Sequence, residues 1–367
     1  MRCINELSGR INEYLGWDKR RVSCFCKLLV ALMVVQSVNM KRLACAISGK
    51  AKRDSSYRRL QRFFSEHRIN FNHVAILIVK LFSLDSESRY LILDRTNWKW
   101  GKSNINILFL CIAYRGAAIP VFWLVLNKQG NSSTRERIAL IKRFIRVFGD
   151  SWIRGVLGDR EFIGKKWFSY LEKNKIPYYF RIKKDANTIN RNGKSISVSW
   201  LFHNLKLNEQ RVVPGKKPIY GHDVYLVGMP IEKDYLIIAT NQDPDQAINI
   251  YAERWQIETL FGCLKSKGFY FEDTRIINRD RIKKMIAVLA IAFCWAHLTG
   301  EWSNRYEKVI PRKKHGRLSK SYFRLGLDII AELIFKGGQG MRKLTRIFRS
   351  IFPPEFKTPR VLANLCA

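Results

Sequence analysis

Three carboxylates stand where they could share one reaction. Asp94 closes the apolar strand-like run YLIL, and Asp159 closes a second one, IRGVLG. Strand ends in an α/β sheet are where ligand sites form, although a lone Asp there also suits a turn or cap. The third, Glu258, lies in YAERWQIETLFGCLK, which reads as a helix. At about 100° per residue, Tyr251, Arg254, Glu258 and Lys265 fall within about 60° of one another, and Ile257, Leu260, Phe261 and Leu264 gather mostly on the opposite face. A solvated helix face would explain Arg254, Glu258 and Lys265, since Arg254 and Glu258 can pair four residues apart. It does not explain the tyrosine. Carboxylates without a His or Cys cluster are hard oxygen ligands suited to Mg²⁺ or Mn²⁺. Two such ions can serve an in-line phosphoryl displacement, one at the attacking and one at the leaving oxygen. Tyr, Arg and Lys beside the acid would hold phosphates without competing for metal.

The elements that must position these residues follow from pattern. SRYLILDRTNW, NINILFLCIAY and AAIPVFWLVL read as three strands joined by short turns, hence antiparallel. A helix opens at Ser133-Thr134 and stops at Gly149; then come the strand IRGVLGD, a helix over 162–174 and the strand IPYYFRIKK. This order predicts an α/β fold with a mixed sheet. Residues 185–245 turn polar and strand-like, with turn signals at RNGK, PGKK and YGHD, and read as a β-rich insertion. A long helix is expected from 245–249 through Lys265, with further helices over 281–299 and 320–335. The segment 1–85 reads as helical, and SSYRRLQRFF offers serines for an N-cap, Arg58, Arg59 and Arg62 for a partner, and Leu60, Phe63 and Phe64 for packing.

Composition narrows the partner. The 367 residues carry 66 Lys+Arg against 30 Asp+Glu, a formal net charge of +36, with 47% hydrophobic residues. That is a folded chain with a polyanion to bind. From Lys41 to Arg68 nine basic residues face two acids, and Arg312–Lys320 holds five Lys/Arg with no acid. The basic helices at the start suit DNA binding of helix-turn-helix kind. The apolar runs 28–35 and 285–296 fall short of a bilayer span, and no secretory leader is recognisable, so no membrane role and a cytoplasmic location are expected. Cys24-Phe-Cys26 has no downstream partner pair, and the scattered cysteines read as reduced core thiols. No phosphate-binding loop or dinucleotide fingerprint is present, so no nucleotide cofactor is expected.

Together, LILDRTNWKWG, VLGDREFIG and the spacing Y-x2-R-x3-E-x6-K resemble the DDE transposases of bacterial insertion sequences, in particular the IS-four family. The likeness runs over about 25–300. It implies a ribonuclease-H-like core over 86–184 and 246–300, interrupted by an all-β insertion at 185–245. A helical DNA-binding region (1–85) would precede this core and a basic helical region (301–367) would follow it. It implies that Asp94, Asp159 and Glu258 bind two Mg²⁺ ions, with Mn²⁺ as an alternative, and that Tyr251, Arg254 and Lys265 contact DNA near the cleaved end. Glu161 in DREF is a neighbour of the site and not the third ligand. In hairpin-forming relatives a Trp late in the insertion stacks on a flipped base; here that strand reads KDYLIIAT and offers Tyr235, while Trp200 in SVSWLF reads as core. The implied activity is cut-and-paste transposition by a homodimer on the terminal inverted repeats and target DNA, in the bacterial cytoplasm at the nucleoid. Two rival readings are a stand-alone metal-dependent nuclease, and a DNA-binding repressor or decayed element without chemistry.

Overall fold

Val, Ile, Leu and aromatic runs form the strands that carry the site, and polar breaks set their ends. The computed structural model describes residues 2–47, 52–84, 87–190, 192–314, 316 and 318–351. His315 and Arg317 of the basic segment, Arg191 of the RNGK turn, Cys366 and residues 352–367 of the C-terminal region lie outside them, as does the side chain of Cys3. In chain order the elements are α1 (Arg2–Leu15), α2 (Lys19–Val35), α3 (Met40–Ile47), α4 (Arg53–Glu66), α5 (Phe71–Leu81), β1 (Arg89–Trp100), β2 (Ser103–Tyr114), β3 (Ala117–Val125), α6 (Thr134–Phe148), β4 (Ile153–Gly158), α7 (Lys165–Lys173), β5 (Tyr178–Arg181), β6 (Asn187–Ile189), β7 (Ser195–Ser197), β8 (Arg211–Val212), β9 (Lys217–Ile219), β10 (His222–Ile231), β11 (Asp234–Thr240), α8 (Ala247–Ala252), α9 (Gln256–Leu264), α10 (Arg279–Tyr306), α11 (Tyr322–Phe335) and α12 (Gly337–Ile351). The chain divides into two units, one of Met1–Ser86, Trp98–Ile105 and Leu260–Ala367, the other of Glu87–Asn97 and Asn106–Thr259.

The second unit is mixed α/β, as the pattern predicts. Its sheet runs β3-β2-β1-β4-β5-β11-β10-β8, with β9 pairing on β10. Strands β2 and β3 are antiparallel, whereas β1 pairs parallel with β4, and β4 with β5. Three hairpin-linked strands followed by two parallel ones make the ribonuclease-H-like order. Parallel strands must be covered on both faces, and β4 is buried at every position but Arg154. Within the insertion, β6 and β7 form their own small sheet, while β11 pairs antiparallel with β5 and β10 with β11, lengthening the core sheet. The continuous apolar residues of YLVGM and YLIIAT, buried at consecutive positions Leu226–Gly228 and Ile237–Thr240, suit strands covered on both faces.

Local boundaries differ from the pattern in four places. Helix α7 starts at Lys165 rather than at 162, because Phe162 N closes a turn on Asp159 O (2.8 Å) and Gly164 takes φ 133°. The helix expected from 245 to 265 is broken: 3-10 turns at Pro244–Gln246 and Glu253–Trp255 flank α8. Helix α4 starts at Arg53 with Lys52 as N-cap, so Ser55 and Ser56 sit inside the helix and cap nothing. Trp200 is 62% exposed, not core: the 3-10 turn Val198–Phe202 buries Val198 and Phe202 and turns Trp200 outward against the His203 ring at 4.5 Å. By contrast, α6 begins at the expected place, with a capping box in which Ser133 N donates to Glu136 Oε2 (2.6 Å) and Glu136 N to Ser133 Oγ (3.3 Å).

The first unit is helical. Its centre is α10, whose 28 residues are long and apolar enough to cross a bilayer, contrary to the shorter run counted in sequence. Its most apolar window is nevertheless 89% buried by protein, with α2, α4, α5, α11 and α12 packed around it. Cys24, Cys26, Cys263 and Cys294 are buried here, and Cys111 is buried in the second unit, but Cys45 is exposed on α3. The α10–α11 contact depends on two glycines. A Cβ at Gly300 would lie 1.9 Å from Tyr322 O, and one at Gly326 1.8 Å from Ala296 O. Gly326→Ala is therefore expected to force the helices apart at a cost of about 1–3 kcal/mol or more. Denaturant unfolding measures this, and an unchanged midpoint would contradict the packing.

Candidate active site

Strand register brings the first two acids together. Leu93 pairs with Gly158 across the parallel β1–β4 ladder, so Asp94 and Asp159, each one residue further, stand side by side, about 5 Å apart along the hydrogen-bonding direction. Asp159 follows the end of β4, but Asp94 lies inside β1, which runs on to Trp100, and is not at the strand end the apolar run suggested. Each carboxylate accepts the backbone N–H of the arginine that follows it, Asp94 from Arg95 and Asp159 from Arg160, both at 2.7 Å. The Asp-Arg pairs thus fix each carboxylate against its own backbone, within β1 for Asp94 and in the turn after β4 for Asp159.

The third acid is joined to them through a guanidinium. Arg254 Nη1 donates to Asp94 Oδ2 at 3.0 Å and Nη2 to Glu258 Oε1 at 3.1 Å. Its side chain is only 8% exposed, against 17% for Asp94 and 41% for Glu258. Tyr251, also buried, directs its hydroxyl to Asp159 Oδ1 at 3.5 Å, a long contact. The break between α8 and α9 makes this possible, because the 3-10 turn at Glu253–Trp255 carries Arg254 into the protein while α9 restarts before Glu258. Gln256 pins that restart by accepting the Tyr114 N–H through Oε1 at 2.6 Å. Trp255, beside Arg254, is exposed.

Burial raises the Asp94 carboxyl from 3.8 to about 6; Arg95 N–H and Arg254 pull it down, and Glu161 and Asp159 push it further up. Burial opposes the Arg254 charge, yet Tyr251, Asp94, Asp159 and Glu258 together hold its pKa above the usual value. Burial pushes the Tyr251 phenol up as well, so it stays protonated and able to donate. Among the described residues no group of three His, Cys, Asp or Glu faces a common point. The donor set still fits hard divalent cations: oxygen carboxylates only, two side by side on adjacent strands β1 and β4, with a buried cation already between Asp94 and Glu258.

A second ionic cluster buttresses the strand ends, and sequence reading missed it. Arg95 donates to Glu161 (Nε and Nη2 to Oε2, both 3.2 Å) and to Asn106 Oδ1 (3.0 Å), and Asn106 in turn donates to the carbonyls of Lys128 and Gly130. Buried Arg137 donates to the carbonyls of Glu161 (2.6 Å) and Ser132 (2.7 Å). The only signal in sequence is that both Asp motifs continue with Arg and the second adds an acid; a partner 66 residues away is not readable from spacing. Asp234 receives Arg160 (2.9 Å) and Arg181 (3.1 Å), which places Tyr235, half-buried on β11, next to the loop that follows Asp159.

The remaining sequence candidates lie in the first unit. Lys265 pairs with Glu272 at 2.6 Å, and its ammonium is 5.5 Å from the Trp98 ring. Arg58, Arg59 and Arg62 are all exposed on α4, while Leu60, Phe63 and Phe64 are buried. Arg312 bridges to Leu318 and donates to Gly316 O (2.9 Å).

The raised Asp94 value has a consequence for stability. Because the folded group titrates near 6 and the unfolded one near 3.8, its contribution is fully present below pH 3.8 and is lost as pH rises to about 6. Without divalent metal, wild type is expected to lose stability relative to Asp94→Asn between about pH 4 and 6. Parallel melting curves across that window would contradict the burial of this carboxyl.

The sequence model of the transposase DDE domain matches residues 85–295. Among curated proteins none matches. Among solved structures, the cryo-EM structure of a piggyBac transposase synaptic complex with hairpin DNA aligns at 12% identity with a TM-score of 0.44, covering 100% of this chain and 82% of that one.

Proposed function

The chain belongs to the transposase DDE domain family, and from that premise we propose that it is the DNA transposase of a bacterial insertion sequence of the IS-four group. It binds the terminal inverted repeats of its own element as a homodimer and hydrolyses the phosphodiester at each end. The freed 3′-OH ends are then joined to target DNA in the cytoplasm. The observation that carries this reading is one buried arginine joining Asp94 to Glu258, with Asp159 beside Asp94 across the β1–β4 ladder.

In this reading Asp94, Asp159 and Glu258 hold the divalent cations. When bound, two Mg²⁺ ions, or Mn²⁺ in their place, supply activation of the attacking oxygen and charge neutralisation at the leaving oxygen. The protein's own part is orientation and electrostatics. The clamp of Arg95 on Glu161 ties β1 beside Asp94 to the loop after Asp159, so the carboxylates are preorganised. Arg254, relieved of neutralising Asp94 and Glu258, presents a planar fork matched to a phosphate. Tyr251, kept protonated by burial, donates a hydrogen bond to a phosphate oxygen. Transfer of the end to target DNA needs no ATP, because one phosphodiester is exchanged for another. Tyr235, and the exposed Trp200 as well, offer aromatic faces for a flipped base, since any aromatic ring stacks.

Glu258→Gln is expected to remove cutting of a duplex that carries the element boundary in Mg²⁺. Binding of that duplex should stay within about twofold, because no phosphate contact is lost. A strand-cleavage assay beside a gel-shift assay reads both. Normal cutting by the variant would overturn the triad assignment. Equal nicking of boundary and scrambled duplexes by wild type would point to a general nuclease.

A further inference from the structure

The N-terminal helices hold a groove that the catalytic site does not use. It lies between the start of α2 and the end of α4, measures about 620 Å³, and is lined by Asp18, Arg20, Arg21, Ser23, Cys24, Arg59, Arg62, Phe63, Glu66 and His67. Arg20, Arg59 and Arg62 are exposed along its rim, and among the described residues none of the three has a carboxylate partner. Of the two acids, Asp18 is already engaged: it caps α2 through Arg20 N and Arg21 N, both at 3.1 Å, and pairs with Arg21 Nε at 3.0 Å. The rim is therefore left with three free guanidinium groups against Glu66.

The floor is the more informative part. His67 is 4% exposed, and among the described residues neither ring nitrogen has a hydrogen-bond partner. Trp17 packs edge-on against its ring at 4.3 Å and Phe63 at 5.3 Å, so the imidazole is fixed in place. Buried polar groups are almost always paired, and one left open on the floor of an arginine-rimmed groove asks for an external acceptor or donor. Burial first, then Arg21 and Lys284 with Asp18 opposing, lowers its pKa to about 4, so the ring is neutral and offers one N–H donor. Arginine forks at a rim and a single neutral donor beneath them match the oxygens of a phosphate.

We propose that this groove is a phosphate-binding site that takes one backbone phosphate of duplex DNA, gripped by Arg20, Arg59 and Arg62 and hydrogen-bonded from below by His67. The assignment to DNA rests on the reading of the chain as a transposase. The same chemistry would accept free inorganic phosphate, so the test separates the two sources.

The test compares the full chain with the double variant Arg59→Gln/Arg62→Gln and with His67→Phe, which keeps the ring and removes its nitrogens. The double variant Arg305→Gln/Lys308→Gln, which removes the same charge elsewhere, serves as control. Affinity for a labelled end duplex is measured from 50 to 200 mM salt, and inorganic phosphate is titrated calorimetrically into each protein. The groove variant is expected to bind the duplex about tenfold more weakly than the charge-matched control, with a log–log salt slope smaller by about 1–2. His67→Phe is expected to weaken binding about threefold with the slope unchanged, since a neutral donor releases no counterion. Saturable phosphate binding that the groove variant loses, with duplex affinity equal to the control, would assign the groove to the free anion. Groove and control variants alike in duplex affinity, slope and phosphate binding would overturn the site. In that case boundary cutting by wild type leaves the transposase reading intact. A groove phenotype in a protein that never cuts in Mg²⁺ removes the transposase reading and leaves the phosphate site standing.

Discussion

A single buried guanidinium governs the catalytic half of the molecule. Two aspartates side by side on adjacent strands, and a glutamate on a later helix, gather negative charge that calls for a compensating positive group. Arg254 supplies it, at 3.0 Å from Asp94 and 3.1 Å from Glu258. Burial makes such an arrangement costly, and a buried ion pair is weak as a source of stability. Its Nε stays without a partner. This combination suits a centre built to exchange one cation for another.

The surroundings follow the same logic. Arg95 answers Glu161, Arg160 and Arg181 answer Asp234, and Arg137 answers the carbonyls of the loop after Asp159. Each arginine fixes a backbone segment that carries or flanks a carboxylate of the site. Rigid strands set the spacing, through the Leu93–Gly158 register, and arginines lock the loop that begins where β4 stops.

Much of this was legible in the residues. Asp94 and Asp159 announce themselves by ending apolar runs, and parallel pairing then makes them neighbours. The Y-R-E spacing was read as one face of an unbroken helix, and it does bring Tyr251, Arg254 and Glu258 to the acids. The route differs, because the 3-10 turn at Glu253–Trp255 interrupts the helix and turns Arg254 inward. Period alone cannot show such a break, since no Pro or Gly marks it. The Arg95–Glu161 clamp was hidden because long-range ion pairs leave no local pattern. Trp200 was misread because a large aromatic ring is ordinarily buried, and only the 3-10 geometry around it shows which of its neighbours fill the core instead. Helix α10 is longer than its apolar run because its polar, solvent-exposed ends at Arg279–Arg281 and Arg305–Tyr306 continue the helix beyond the buried centre.

The central claim is that Asp94, Asp159 and Glu258 form a divalent-cation centre in which Arg254 stands where positive charge belongs. Electron paramagnetic resonance of Mn²⁺, titrated into the protein bound to its end duplex, tests it most directly. Saturable binding by wild type that is lost in Asp94→Asn is the predicted result. Equal Mn²⁺ binding by both proteins, or none by wild type, would contradict it.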